Sequence, residues 1–119
     1  MSRRYKSYAA ETGIFYRYFF DSRRSTVRPS GLGPGSDYIF VLTADQGPPF
    51  AVRVFVSQRA IAAWRTAHHR ELDSREQYAA AKMRLFRAFD ELENLREESL
   101  NLVVDETNMD QLLEALDLV

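Results

Sequence analysis

The hydrophobic periodicity of the chain changes near residue 57, and this change constrains the fold more than any other feature. Before it, apolar and aromatic residues cluster in short segments that alternate with a period of two, which is typical of strands. After it, apolar residues recur every three or four positions, as on one face of a helix. The chain has 119 residues, and one core usually organises about 100–150 residues. We therefore expect one α+β domain with helices packed against a sheet.

Three segments predict strands because they are rich in aromatic and β-branched residues: 14–20, 38–43 and 50–56. The last two are joined by the short turn ADQGPP and predict an antiparallel hairpin. Residues 21–37 contain the Gly- and Pro-rich run PSGLGPGS, which predicts a long loop. Residues 100–104 fit either a short fourth strand or a continuation of the preceding helix. The sequence thus predicts a three- or four-stranded antiparallel sheet, arranged as a meander or hairpin.

Helix starts are indicated by residue types that commonly cap N-termini. Ser57 precedes the first apolar stripe, and Asp73 with Glu76 resembles a capping box before the longest helix. Thr107 and Asp110 predict a further cap near the C-terminus. The helix expected there carries a stripe with i, i+3, i+4, i+7 spacing: Met109, Leu112, Leu113 and Leu116. We therefore expect two to three helices packed on one face of the sheet.

Charge is distributed unevenly along the chain, although the formal net charge is only −1. Residues 1–28 carry seven basic and two acidic groups, whereas residues 90–119 carry ten acidic groups and one basic group. Residues 1–13 are polar and basic, so we expect a flexible arm before a single domain that spans residues 14–119. The two charged ends either neutralise each other or attract charged partners. In a regulatory variant, the acidic segment masks the basic surface until a partner displaces it.

Composition excludes several classes of protein and site. The chain has no cysteine, so disulfides, thiol nucleophiles and Cys-ligated metals are excluded. The longest apolar stretch, Tyr38–Leu42, is much shorter than the about 20 residues that cross a bilayer. No apolar segment follows the basic N-terminus, which argues against a secretory signal. We therefore expect a cytoplasmic protein with no membrane partner.

No motif of the sequence indicates an enzyme. The run GLGPG at residues 31–35 is followed by a predicted strand, whereas phosphate-binding loops precede a helix. His68 and His69, with Glu71 and Asp73 nearby, form the only cluster suited to acid–base chemistry or metal binding. Adjacent helical positions point about 100° apart, and neither histidine has a partner four residues away. We predict no metal, no cofactor and no enzymatic activity, and keep an enzyme built on these histidines as a third hypothesis.

The sheet face opposite the helices is the strongest candidate for a binding surface. Alternation along the first and third strands predicts aromatic side chains interleaved with arginines on this face: Phe15, Arg17, Phe19, Arg53 and Phe55. Aromatic residues and arginines dominate the binding energy of protein interfaces. The first hypothesis is therefore a small non-enzymatic interaction module that binds another protein or its own copy.

The alternative is a nucleic-acid-binding module that uses the same face together with the basic arm. Aromatic rings and guanidinium planes on a sheet stack single-stranded bases, and cations contact the phosphates. The candidate polyanion contacts are Arg3, Arg4, Lys6, Arg23 and Arg24. This alternative predicts a steep loss of affinity with added salt, although the sequence lacks an RNP-type signature.

Overall fold

A computed structural model of the chain describes residues 4–29 and 31–115. These residues contain five strands and three helices. In chain order they are β1 (Lys6–Ala9), β2 (Phe15–Arg28), β3 (Gly33–Ala44), β4 (Phe50–Ser57), α1 (Gln58–His68), α2 (Ser74–Glu91), β5 (Leu102–Val104) and α3 (Met109–Glu114). The strands form one curled sheet in the order β1-β2-β3-β4-β5. The α+β class is confirmed. The three- or four-stranded antiparallel sheet is corrected to a five-stranded mixed sheet, because β5 runs parallel to β4.

The predicted loop over residues 21–37 is wrong, because most of this segment extends the β2–β3 hairpin. β2 continues to Arg28 and β3 already begins at Gly33. Pairing is continuous from Arg24↔Asp37 to Arg28↔Gly33. Gly33 has a φ of 70°, a left-handed conformation that favours glycine at a tight turn. The Gly and Pro residues thus mark a hairpin turn and the start of a strand rather than a connector.

A β-bulge at Asp21 reverses the alternation of side chains along β2. The pair Phe20↔Phe40 is followed directly by Ser22↔Ile39, so Asp21 is an extra residue on β2. A bulge of this kind shifts every later side chain to the opposite face and bends the strand. Arg23 therefore lies on the same face as Phe20.

The three helices pack on one face of the sheet, called here the inner face, and the opposite face is called the outer face. Phe89 of α2 stacks its ring on Tyr16 of β2, with 4.2 Å between the centroids. On β3 and β4, inner-face residues such as Phe40 and Val54 are fully buried. Among the described residues, no helix is both long and apolar enough to cross a membrane.

Two of the three predicted helix caps are confirmed. The Ser57 hydroxyl accepts a hydrogen bond from the Arg59 N–H at 3.1 Å. Asp73 and Glu76 form a reciprocal capping box at the start of α2. The predicted cap at Thr107 and Asp110 is wrong, because α3 begins after Asn108 without a side-chain cap. Leu116, the last residue of the predicted stripe, lies outside the described residues.

Two strands, β1 and β5, lie outside the three segments that were predicted as strands. β1 falls within the expected N-terminal arm, and Tyr8 at its centre pairs with Tyr16 of β2. The Tyr8 hydroxyl also donates a hydrogen bond to Asp90 Oδ2 of α2 at 2.6 Å. For residues 100–104, the strand alternative is the correct one, since Leu102–Val104 pair with β4. Both short strands are therefore ordered by contacts with residues that are distant in the sequence.

Tyr8 makes the stability of the fold sensitive to high pH. Burial, followed by the hydrogen bond to Asp90, raises the pKa of Tyr8 to about 12. The phenol of an unfolded chain has a pKa of about 10, so the folded state holds the proton more tightly. This contribution is complete below pH 10 and is lost as the pH rises from about 10 through about 12. We expect urea denaturation to show a falling free energy of unfolding in this range, with a shallower fall for Tyr8→Phe. Equal slopes for the two proteins would contradict this assignment.

Candidate binding surfaces

Four of the five predicted interface residues lie on the surface of the outer face. Phe15, Arg17 and Phe19 alternate along β2 before the bulge, and Arg53 lies on β4. Phe15 is 42% exposed, and Arg17 and Arg53 are also exposed. The half-buried Phe19 contacts the ring of Tyr5 edge-on at 4.9 Å. We call these four predicted residues, Phe15, Arg17, Phe19 and Arg53, the outer patch.

Phe55 also lies on the outer face, but the expectation that it is exposed is wrong. Its side chain is fully buried. The Arg28 guanidinium lies over the Phe55 ring, 5.0 Å from its centroid. Because the sheet is curled, the far end of β2 brings Arg28 over β4. Phe55 therefore supports the outer face and does not form part of its surface.

Arg28 reaches Phe55 because a buried carboxylate holds it in place. Arg28 Nη2 lies 2.7 Å from Asp37 Oδ1, and Arg28 Nη1 donates to the Leu100 carbonyl at 3.0 Å. Asp37 is only 5% exposed, and Arg53 approaches its other oxygen at 3.9 Å. Sequence reasoning missed this cluster. The one signal in the sequence was Asp37, an acidic residue directly before the apolar residues of β3. An acidic residue beside a buried strand indicates a buried carboxylate, and buried carboxylates are normally paired with a cation.

The predicted polyanion contacts within the described part of the chain do not all lie on one face of the sheet. Arg3 lies outside the described residues, and Arg4 is exposed. Lys6 pairs with the buried Tyr18 and therefore lies on the inner side of the sheet. The bulge places Arg23 on the inner side as well, whereas Arg24 lies on the outer side opposite Asp37. The basic residues are thus divided between two faces.

An open depression lies between the inner face of the hairpin and the first turns of α2. Its volume is about 410 Å³, and we call it the inner cleft. It is lined by Phe20, Arg23, Tyr38, Ser74, Arg75 and Tyr78. Phe20 meets Tyr78 edge-on, with 5.1 Å between the ring centroids. Sequence reasoning missed this cleft, because the bulge and the packing of α2 bring its residues together.

The inner cleft is aromatic and cationic. The Arg23 guanidinium lies 5.7 Å from the centroid of the Tyr38 ring, and its Nε donates to Ser36 Oγ at 3.2 Å. Burial raises the pKa of both Tyr38 and Tyr78, so both phenols are neutral near pH 7. The charge of the cleft therefore comes from its arginines.

The two histidines support the junction between α1 and α2. His68 stacks on Trp64 at 4.3 Å, and its Nε2 lies 2.8 Å from Asp110 Oδ1 of α3. His69 adopts a left-handed conformation, and its N–H donates to the Arg65 carbonyl at the end of α1. Within residues 4–29 and 31–115, no group of three or more His, Cys, Asp or Glu residues is arranged to hold a metal ion. The geometry thus accounts for both histidines through packing and capping.

The acidic C-terminal segment contributes to the core through α3, whose Met109, Leu112 and Leu113 are buried. Among the described residues, the outer patch and the inner cleft are the strongest candidates for binding. Protein-family models, curated proteins and solved structures provide no significant match to the chain.

Proposed function

We propose that the protein is a non-enzymatic interaction module that binds a second copy of itself through the outer patch. The observation that carries this proposal is the exposure of Phe15, which is 42% exposed on a sheet face that none of the described helices covers. Arg17 lies beside it on the same face, and the Arg17 guanidinium stacks 5.2 Å above the Tyr5 ring. Rigid aromatic groups beside arginines are the usual centre of a protein interface.

The opposite rim of the same face is acidic. The Arg53 N–H donates to the Ser99 carbonyl at 2.8 Å, so the turn that precedes β5 runs beside β4. This turn carries Glu97 and Glu98. The β2 side of the outer face carries exposed arginines, Arg17 among them. The β2 side of this face is thus basic, and its β4 side is bordered by two carboxylates that lie close in sequence to Arg96.

This arrangement is complementary to a copy of itself. β3 is the central strand of the five. In the proposed dimer, the outer faces of two copies meet, and a two-fold axis runs between them parallel to β3. This symmetry places the β2 side of each copy over the β4 side of the other. Arg17 of each copy then faces the acidic turn of its partner, and Phe15 is covered. Such symmetric, self-complementary contacts are the commonest kind of protein self-association.

Sedimentation velocity over a range of protein concentrations tests the proposal. The wild-type chain is expected to approach twice the mass of 13.8 kDa, and to dissociate as salt is added. Arg17→Glu is expected to weaken association about 30-fold, because central arginines contribute about 2 kcal/mol or more. Arg75→Glu is the matched control, since it makes the same charge change in the inner cleft.

A charge exchange provides the decisive comparison. Glu97→Arg with Glu98→Arg should weaken association as Arg17→Glu does, whereas all three changes together should restore it. A chain that stays monomeric at every concentration overturns the proposal, as does an equal effect of Arg17→Glu and Arg75→Glu. Binding of nucleic acid by a monomer, lost in Arg17→Glu, would assign the patch to polyanions instead.

A further inference from the structure

The walls of the inner cleft form a platform for a planar ring. Phe20 is 38% exposed although its ring contacts both Tyr78 and Tyr38. The ring centroids of Tyr38 and Tyr78 in turn lie 6.3 Å apart. The exposed part of Phe20 is therefore held at a fixed angle by its neighbours. A preformed aromatic surface favours stacking by planar ligands, because little side-chain freedom is lost on binding.

The cations of the cleft have no carboxylate partner among the described residues. Within the described part of the chain, Arg23 contacts the Ser36 hydroxyl and the Tyr38 ring. Arg75 lies on the first turn of α2, and no carboxylate lies within ion-pair distance of it in the described part of the chain. The neighbouring Glu76 is instead held by Arg70 at 2.7 Å. Two guanidinium groups beside one aromatic depression attract an anion.

The cationic surface continues along α2 beyond the cleft. Arg75 and Lys82 are seven positions apart, so they lie on the same stripe of the helix, about 10 Å apart along its axis. Lys82 Nζ lies 5.9 Å from the Tyr18 ring and 5.7 Å from the Phe86 ring. Burial lowers the pKa of Lys82, and the nearby Lys6 lowers it further. Two ammonium groups held together repel each other, which a bound anion would relieve.

We propose that the inner cleft binds a nucleotide, with the base against its aromatic rings and the phosphates toward its cationic side chains. Arginines and aromatic rings line the cleft together, and Lys82 lies against two further rings along α2. A ligand with a single carboxylate would need only one cationic centre. Lys82 provides a second cationic centre on α2, beyond the arginines of the cleft. The volume of about 410 Å³ lies within the range of small-molecule sites. This inference is independent of self-association through the outer patch.

A base joined to a phosphate occurs both in a free nucleotide and in a single strand of nucleic acid. Titrations followed by NMR of the full-length protein separate these sources. The probes are a nucleoside, inorganic phosphate, nucleoside mono- and triphosphates, and a short single-stranded oligonucleotide. We expect the triphosphate to bind more tightly than the monophosphate, and both to bind more tightly than the nucleoside or phosphate alone. Tighter binding of the oligonucleotide, with the same residues shifted, would identify a strand as the source.

Matched substitutions locate the site. Phe20→Ala is expected to weaken nucleotide binding about 10-fold, because stacking of one base contributes about 1–3 kcal/mol. Its control is Leu100→Ala, which removes an exposed apolar side chain outside the inner cleft and the outer patch. Arg23→Gln should also weaken binding about 10-fold, whereas Arg24→Gln, next in sequence on the outer face, should leave it unchanged.

Four results would overturn the proposal. One is the absence of nucleotide-induced shifts in cleft residues at millimolar ligand and low salt. Another is equal affinity for inorganic phosphate and nucleotide, because the rings would then play no part. The third is equal weakening by Arg23→Gln and Arg24→Gln, which would indicate only a diffuse charge effect. Tighter binding of phenyl phosphate than of any nucleotide would also reject a nucleotide ligand.

Discussion

Replacing Phe89 with alanine is expected to remove about 3–5 kcal/mol of the free energy of unfolding. Phe89 is fully buried and stacks on Tyr16 at 4.2 Å, and its ring centroid lies 5.1 Å from that of Tyr8. The substitution removes one of the side chains that join α2 to β1 and β2. Urea denaturation measures the loss, which is a large part of the about 5–15 kcal/mol typical of a domain.

The control for Phe89→Ala is the same change at Phe15, which is 42% exposed. A phenylalanine on the surface leaves no cavity when it is truncated, so we expect a loss of less than about 1 kcal/mol. The denaturation of this control is measured at a protein concentration too low for self-association. Equal losses at the two positions would show that α2 does not pack on the inner face as described.

Replacing Gly35 with alanine is expected to cost about 3 kcal/mol, at the upper end of the usual cost of overpacking. A Cβ atom at Gly35 would lie 2.6 Å from Phe55 Cζ and would also collide with the carbonyl oxygen of Val56. Relief requires movement of a backbone group or of a fully buried ring. Because Arg28 lies over that ring, its ion pair with Asp37 would be disturbed as well.

Thermal and urea denaturation test this prediction, with Ser25→Ala as the control in the same hairpin. Ser25 is exposed, so alanine there should change the free energy of unfolding by less than about 0.5 kcal/mol. A similarly small effect at Gly35 would contradict the close contact between β3 and Phe55. A large effect would establish that the Gly-rich segment is a packed strand.

Local signals predicted the parts of the fold that depend on nearby residues. The capping box of Asp73 and Glu76 and the cap at Ser57 involve contacts within one turn, so their sequence pattern is sufficient. The distal half of β2 is different. Its segment RRSTVR has polar residues on both faces, so it lacks the alternation that indicates a strand. Pairing with β3 orders it, and that pairing is a tertiary property.

The two binding surfaces were predictable to different degrees. Phe15, Arg17 and Phe19 alternate without interruption, so a period of two placed them correctly on one face. The same rule failed for the exposure of Phe55, because it takes no account of sheet curl or of Arg28. The inner cleft depends on a single extra residue, Asp21, which moves Arg23 to the side of Phe20. No property of the sequence distinguishes that register from an uninterrupted one.

The order of the elements along the chain also affects how the protein is synthesised. The apolar inner face of β2, β3 and β4 is complete at Ser57, but α2, which covers much of it, ends only at Glu91. Translation of the intervening residues takes roughly 2–7 seconds at about 5–20 residues per second. During that interval a nascent sheet exposes aromatic side chains that the finished protein buries. A truncated chain that ends before α2 is therefore expected to bind holdase chaperones, whereas a released chain that includes α3 is not.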